Sequence, residues 1–312
     1  MIQLITPQQG RPDGYGQSSL AIKKYIQKQG VYTTEKPQDT LLCYGRPLDL
    51  IKSKAKHKVL VVMFESTMMP EEWRVPLNIA DVVISPSTFC TNVIKGQFGI
   101  DAITIPLGYD SAHFAYYKRP KRKTYTYLHY NSFTKRKGFI ELIQAWSMSM
   151  KDNKNVKLIL KTTTQQSLID LSHLSNIEII QEDYTPYQMQ ELLQRSDCLI
   201  FPSMGEGFGH NPLEAMATGA DVIAPNEHGI AEYHTPLIES VKTYDVPAEY
   251  DKYAGRDMGR MFSCQVSDLA DKINKVYNER EQRMRPLYQK RRAEYARNYT
   301  LDNFARELIK HL

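Results

Sequence analysis

Asp197-Cys198-Leu199-Ile200-Phe201-Pro202-Ser203-Met204-Gly205-Glu206-Gly207-Phe208-Gly209-His210-Asn211-Pro212-Leu213-Glu214-Ala215-Met216-Ala217-Thr218-Gly219-Ala220-Asp221-Val222-Ile223-Ala224 is the stretch on which the reading of the chain turns. Cys198 to Phe201 is a short apolar run halted by Pro202-Ser203, which reads as a buried strand. A glycine-rich loop follows, Gly205-Glu206-Gly207-Phe208-Gly209. A helix is expected next, with Asn211 as N-cap, Pro212 at the first helical position and Glu214 at the third. Gly219 ends it, and Asp221 to Ala224 starts another strand. This order of strand, glycine loop and helix favours an anion. Glycines let backbone N–H groups approach a ligand closely, and the helix tip adds unpaired donors and the positive end of its dipole. Glu206 and Glu214 would share one face of a continuous helix, but the glycines and Pro212 exclude that helix. The two carboxylates must therefore flank the loop, where they suit hydroxyls better than phosphate. Two blander readings also fit: a capping box over Asn211 to Glu214, and a solvated loop carboxylate at Glu206.

The same alternation extends in both directions. Ile2 to Thr6, Val59 to Phe64, Val82 to Ser85 and Ala102 to Ile105 read as buried strands, as do Tyr125 to His129, Val156 to Lys161 and Ile177 to Ile180. Helical segments lie between them: Gln17 to Gln29, Gly138 to Met150 and Pro186 to Arg195. Strand–helix alternation predicts α/β architecture with parallel sheets covered on both faces. A length of 312 residues suits two domains. The polar, basic run Tyr116-Tyr117-Lys118-Arg119-Pro120-Lys121-Arg122-Lys123 marks the seam. The expected units are 1–118, 119–297 and a last helix, 298–312, capped by Thr300.

Hydrophobic residues at 42% and charged residues at 24% are those of a globular chain with a full core. No apolar run approaches the ~20 residues that span a bilayer, and Met1 to Ile5 lacks the form of a signal peptide, so a cytoplasmic protein is expected. Cys43, Cys90, Cys198 and Cys264 lie far apart and read as buried thiols, and no His or Cys spacing suggests a metal. A net charge of +5 suits an anionic substrate, a nucleic acid or a membrane surface without choosing among them.

The segment around Glu206 and Glu214 resembles the donor-binding signature of the family-4 retaining glycosyltransferases. The resemblance implies a B-type glycosyltransferase fold: two Rossmann-like domains face each other across a cleft, and the C-terminal helix returns to the first. It also implies roles. Glu206 contacts hydroxyls of the donor sugar, Glu214 holds the nucleotide ribose, and the amides of Gly207-Phe208-Gly209 meet the donor. Thr134-Lys135-Arg136-Lys137-Gly138 matches a second element, in which Lys137 binds the donor phosphates. The Arg usually found six positions before that Lys is Asn131 here, so Lys135 or Arg136 is the alternative partner. Basic side chains oppose a helix N-terminus, which argues against a merely solvated helix start at this point. The nucleotide base is expected near Asp183-Tyr184, with Tyr184 either stacking on it or lying on the surface.

In the first half, Gly14 and Gly16 follow the first strand and match the loop that covers the donor phosphates. Glu65, at the end of the strand Val59 to Phe64, is the acceptor-side candidate within a Phe64-Glu65-Ser66-Thr67 pattern shared with a branch of the family. The resemblance implies transfer with retention from a UDP- or GDP-linked sugar, with no cofactor and no metal. Charge stabilisation by Lys137 and the loop amides then carries the chemistry, with Glu206 and Glu65 at the reacting centre. The acceptor stays open among glycan, lipid, protein and a hydroxymethylated DNA base. Lys118-Arg119, Lys121-Arg122-Lys123 and Arg291-Arg292 are candidate phosphate contacts for the last. An epimerase of sugar nucleotides and a non-catalytic nucleotide-sugar binding subunit are the readings from other classes.

Overall fold

A computed structural model describes residues 1–7, 14–163, 171 and 174–312. The first domain is a six-stranded parallel sheet: β1 (Ile2–Ile5), β2 (Thr33–Thr34), β3 (Thr40–Tyr44), β4 (His57–Val61), β5 (Val82–Ser85) and β6 (Ile103–Thr104), in the order β2-β1-β3-β4-β5-β6. The second is also a six-stranded parallel sheet: β7 (Tyr125–Tyr130), β8 (Val156–Thr162), β9 (Ile177–Gln181), β10 (Cys198–Ile200), β11 (Asp221–Pro225) and β12 (Glu239–Val241), in the order β12-β11-β10-β7-β8-β9. An antiparallel hairpin, β13 (Thr243–Pro247) with β14 (Arg260–Cys264), is attached to the second domain. Two parallel-sheet α/β domains are the architecture expected from the strand–helix alternation.

The helices are α1 (Gly14–Lys28), α2 (Arg74–Ile79), α3 (Thr88–Phe98), α4 (Phe139–Ser149), α5 (Pro186–Gln194), α6 (Asn211–Ala217), α7 (Val266–Asn278), α8 (Arg280–Arg283), α9 (Pro286–Ala296) and α10 (Leu301–Leu308). Strands covered on both faces have no polar side to show, so Val59, Leu60, Leu128, Leu199 and Val222 are all fully buried or nearly so. The strand order of the second sheet reverses between β7 and β10. In open parallel sheets a crevice opens at the carboxyl ends of the strands at such a switch point. The two segments singled out in the sequence, 131–138 and 201–210, leave β7 and β10 at that edge.

Three strands, β2, β3 and β12, and the hairpin escaped the sequence reading. The important one is β3, which sits between β1 and β4 in the middle of its sheet. Its apolar part is only Leu41-Leu42-Cys43, too short to stand out, and its two parallel neighbours supply the burial. The capping expectation at α6 also needs correction. His210, not Asn211, occupies the N-cap position, with no side-chain cap bond. Asn211 is the first helical residue, and its amide donates to Tyr130 O at 2.9 Å.

The seam is held by Arg119, only 5% exposed. Its guanidinium donates to the carbonyls of Leu193, Ser196 and Thr218 at 2.6–2.8 Å, which ties off the ends of α5 and α6. Arg122 pairs with buried Asp197, and Arg292, 2% exposed, donates to Gly219 and Arg283 carbonyls beside Asp221. Arg119 and Arg292 are internal fixings and are not presented to a polyanion, a correction to their candidacy as phosphate contacts, whereas Arg122 is partly exposed. The chain returns to the first domain at its end. Tyr109 N–H donates to Tyr299 O and Leu301 N–H to Tyr109 O, Thr300 caps α10 through Asn303 N–H, and Asp302 pairs with Lys28 of α1 at 3.2 Å.

Candidate functional site

The glycine-rich loop 205–209 is set by its carbonyl groups. Gly205 O accepts from Arg136 Nη1 at 2.7 Å, and Glu206 O from Gly229 N–H at 2.9 Å. Gly207 O accepts from Ser87 Oγ at 2.7 Å, across the interdomain boundary, and Gly209 O from Tyr233 OH at 2.6 Å. With these four oxygens held by protein donors, the loop is fixed with its amides in reserve. Among the described residues, no protein acceptor engages the N–H groups of residues 206 to 210. A run of uncommitted amides at a helix tip is an anion cradle. The Phe208 ring does not take part: it is 1% exposed and packs edge-on against Tyr233 at 5.2 Å, anchoring the loop in the core.

Lys137 and Glu206 meet above this loop. Lys137 Nζ lies 2.5 Å from Glu206 Oε1, and Ser203 Oγ donates to the same oxygen at 2.6 Å. Arg136 Nη1 stands 3.7 Å from Glu206 Oε2, and its Nη2 stands 3.7 Å from Glu65 Oε1. Burial pushes the Glu206 carboxyl up, but the Lys137 ammonium and the Arg136 guanidinium outweigh it and hold the carboxyl below its usual range. Lys137 reaches the site because Gly138 turns the chain sharply at φ +67°, where any Cβ would overlap the Pro202 carbonyl oxygen. Of the two alternatives for the missing cation, Arg136 is the one in the site. Lys135 pairs with Glu249 on the surface, at 2.7 Å. Asn131 keeps its Nδ2 buried, with no hydrogen-bond partner among the described residues.

Glu65 arrives from the first domain, at the carboxyl edge of β4. Its Oε2 accepts from Tyr250 OH at 3.4 Å, and its carbonyl accepts from His228 Nδ1–H at 3.2 Å. His228 stacks on Phe89 with ring centroids 4.0 Å apart, and its backbone carries a φ of +47°. The two domains are therefore in direct contact around the loop. The Cβ of any residue at position 205 would overlap the Glu65 carbonyl oxygen, so only glycine permits this approach.

Glu214 is separate from the Lys137 pair. Tyr130 OH donates to its Oε2 at 2.6 Å, so the capping-box reading is set aside. Burial raises the Glu214 carboxyl to about 7, against a usual 4.5, with the charge of Asp110 adding to the rise. Tyr184 follows β9, half-buried, with the Lys161 ammonium 5.0 Å from its ring centroid. Gly14 opens α1 and Gly16 is buried in its first turn, while the preceding loop, Gln8 to Asp13, lies outside the described residues.

The structure thus brings Glu206, Lys137, Arg136, Glu65 and the loop glycines together, places Glu214 at the base of α6, and sets Tyr184 farther along the same edge. Sequence reasoning missed Ser203, Tyr130 and His228. Ser203 and Tyr130 hold the two acids by single hydroxyls, and only their position at strand ends signals it.

Residues 116–246 match the family model described as glycosyl transferases group 1. Among curated proteins no sequence matches this chain. The fold is that of a glycosyltransferase from Rickettsia africae ESF-5, with a TM-score of 0.69 at 14% identity, over 99% of this chain and 96% of that one. WaaG, a glycosyltransferase involved in lipopolysaccharide biosynthesis, gives 0.67 at 11%, over 99% of this chain and 98% of its own. HepE from Anabaena, solved with UDP and glucose, gives 0.67 at 14% with the same coverage.

Proposed function

We propose that this chain, a glycosyltransferase by its group 1 domain and its B-type fold, moves a sugar from a nucleotide-diphosphate donor to an acceptor hydroxyl with retention and without a metal. The observation that carries the donor reading is the loop 205–209, with four carbonyls held by the protein and its amides uncommitted, beside a lysine and an arginine. A diphosphate fits the amides and Lys137. Its sugar then replaces Lys137 as the partner of Glu206, and its ribose takes the Glu214 carboxylate. Developing negative charge on the leaving diphosphate is met by the Lys137 ammonium and the amides, which are oriented before reaction and need no reorganisation. The acceptor hydroxyl enters on the Glu65 side, and a leaving-group oxygen takes its proton. An open surface groove of about 500 Å³ lined by Thr67, Met68, Phe89 and Gln97 adjoins that side and suits part of an acceptor.

A thermal-shift screen of nucleotide sugars tests the donor reading. UDP- or GDP-linked sugars are expected to raise the melting temperature, since a ligand at about 100 times its Kd adds about 2.7 kcal/mol. No shift with any donor would sink it. Product analysis then separates transfer from epimerisation, because only transfer consumes an acceptor.

Glu214 makes donor affinity depend on pH. The folded chain keeps this proton up to about 7, where an ordinary carboxyl releases it near 4.5. Stability associated with the protonated group is therefore present at low pH and lost as pH rises from 4.5 to 7. A ribose donating hydroxyls to the carboxylate restores the missing solvation, so donor affinity should climb as pH rises towards about 7 and level off above it. Titration calorimetry with a nucleotide sugar, whose diphosphate diester does not titrate there, should show this slope. Glu214→Gln should flatten it, and an identical slope in that variant would reject the role.

A further inference from the structure

Lys161 is the last but one residue of β8, and it does something that lysines rarely do: it is 6% exposed with, among the described residues, no carboxylate paired to it. Among the described residues, no carboxylate lies within ion-pair distance of its ammonium. Its contacts are the Thr162 carbonyl at 3.5 Å, at the limit of a hydrogen bond, and the Tyr184 ring at 5.0 Å. Register fixes the direction of the side chain. Lys161 is paired with Tyr130 on one side and Ile180 on the other, and directly paired residues of a parallel sheet share a face. Tyr130 sends its hydroxyl to Glu214 and the Asn211 carbonyl, at the first turn of α6. Lys161 therefore projects on the face of the sheet that carries α6, one strand farther from the glycine loop.

That position is distinct from the diphosphate end. The charges acting on Lys161 are those of Asp183 and Glu182, in the loop after β9, whereas those acting on Lys137 are Arg136, Glu206 and Glu65. The two ammoniums occupy separate electrostatic neighbourhoods, with the Glu214 carboxylate on the edge between them. A nucleotide laid with its phosphates on Lys137 and its ribose on Glu214 brings its base to Lys161. This step rests on the donor reading above.

We propose that Lys161 is a base-selecting residue, donating to O4 of uracil or O6 of guanine so that these bases are accepted over cytosine or adenine. An ammonium carries only donors, so it pairs with O4 of uracil or O6 of guanine and confronts the amino group that stands in its place in cytosine or adenine donor to donor. In both keto bases a ring N–H adjoins the carbonyl, and the carboxylate of Asp183, on the next loop, is of the kind that accepts it. A buried ammonium held by one long hydrogen bond and no ion pair is costly to the fold, and a ligand carbonyl offsets that cost.

Affinities of UDP, CDP, GDP and ADP, measured by titration calorimetry on the native chain, Lys161→Met and Lys161→Arg, test the assignment. The native chain should prefer its keto nucleotide over the matching amino nucleotide by about tenfold or more, as buried polar mismatches do. Lys161→Met should shrink that ratio to within about twofold, and Lys161→Arg should keep part of it. The unliganded Lys161→Met variant should melt no lower than the native chain, because a methionine of similar length removes a buried charge that has no ion-pair partner. A native ratio near one, or an unchanged ratio in Lys161→Met, would overturn the assignment while leaving the donor reading intact. A fall in melting temperature with an unchanged ratio would make Lys161 a structural residue. Absence of any nucleotide binding in the native chain would instead remove the donor reading itself, and this assignment with it.

Discussion

Replacing Lys137 with alanine is expected to lower kcat/KM for sugar transfer by about a thousandfold, roughly 4 kcal/mol of transition-state stabilisation. The expectation follows from where the charge sits. In the unliganded site the ammonium is 2.5 Å from Glu206, in a side-chain environment only 14% exposed. It is therefore already stripped of most of its water and positioned for an incoming anion. Water cannot substitute for it in the variant, and Arg136, at 3.7 Å from Glu206, is committed to the Gly205 carbonyl. Steady-state rates at saturating acceptor give the answer. A loss confined to donor KM, with kcat intact, would mean that Lys137 holds the ground state and the transition state equally.

Glu206→Gln should be the most damaging single change to stability, and it should also cut transfer by a hundredfold or more. Glutamine keeps the shape and can retain the Ser203 hydroxyl at one oxygen, but it leaves the Lys137 ammonium buried without its anion. Removing one partner of such a pair costs about 3–5 kcal/mol. The double variant Lys137→Met/Glu206→Gln separates the two roles. It should regain much of the lost stability, because both charges leave together, and none of the lost activity. Chemical denaturation and transfer assays on the four forms would complete the cycle. Additive stability losses would show that the pair is not coupled in the fold.

The parts of this site legible in the sequence were those with several constraints acting on neighbouring letters. Gly205 to Gly209, Pro212 and the two acids belong to one strand–loop–helix passage, so each residue limits the reading of the next. Lys137 was legible because Gly138 must turn the chain beside it. Glu65 was legible only as a carboxylate at a strand end, and what it meets, Arg136 and Tyr250, comes from segments 71 and 185 residues away. The choice between Lys135 and Arg136 was invisible for the same reason: adjacent letters of like charge diverge once the short helical turn sends one outward to Glu249. Within the basic run at 118–123, Arg119 departs from the reading in the opposite sense. Charge composition shows a cation, not its destination, and Arg119 spends its donors on carbonyls inside the second domain. In the fold, long apolar strands declared themselves and β3 did not, since three apolar letters acquire meaning only from the strands on either side.

The chain passes between the two halves twice, at Tyr109 and at Thr300, and the two passages run side by side as a bridged pair. Tyr109 bonds to the backbone on both sides of Thr300, and Gly108 has no room for even a methyl group against it. Two tethers far apart would lock a pair of bodies, and one tether would leave it to flap. Two tethers laid together make an axle, which permits swinging about one line and resists shear. Arg119 clamps the first tether to the second body a few residues beyond. The free length is thus short, and whatever swing the halves execute must open the mouth of the crevice on the side away from residue 300.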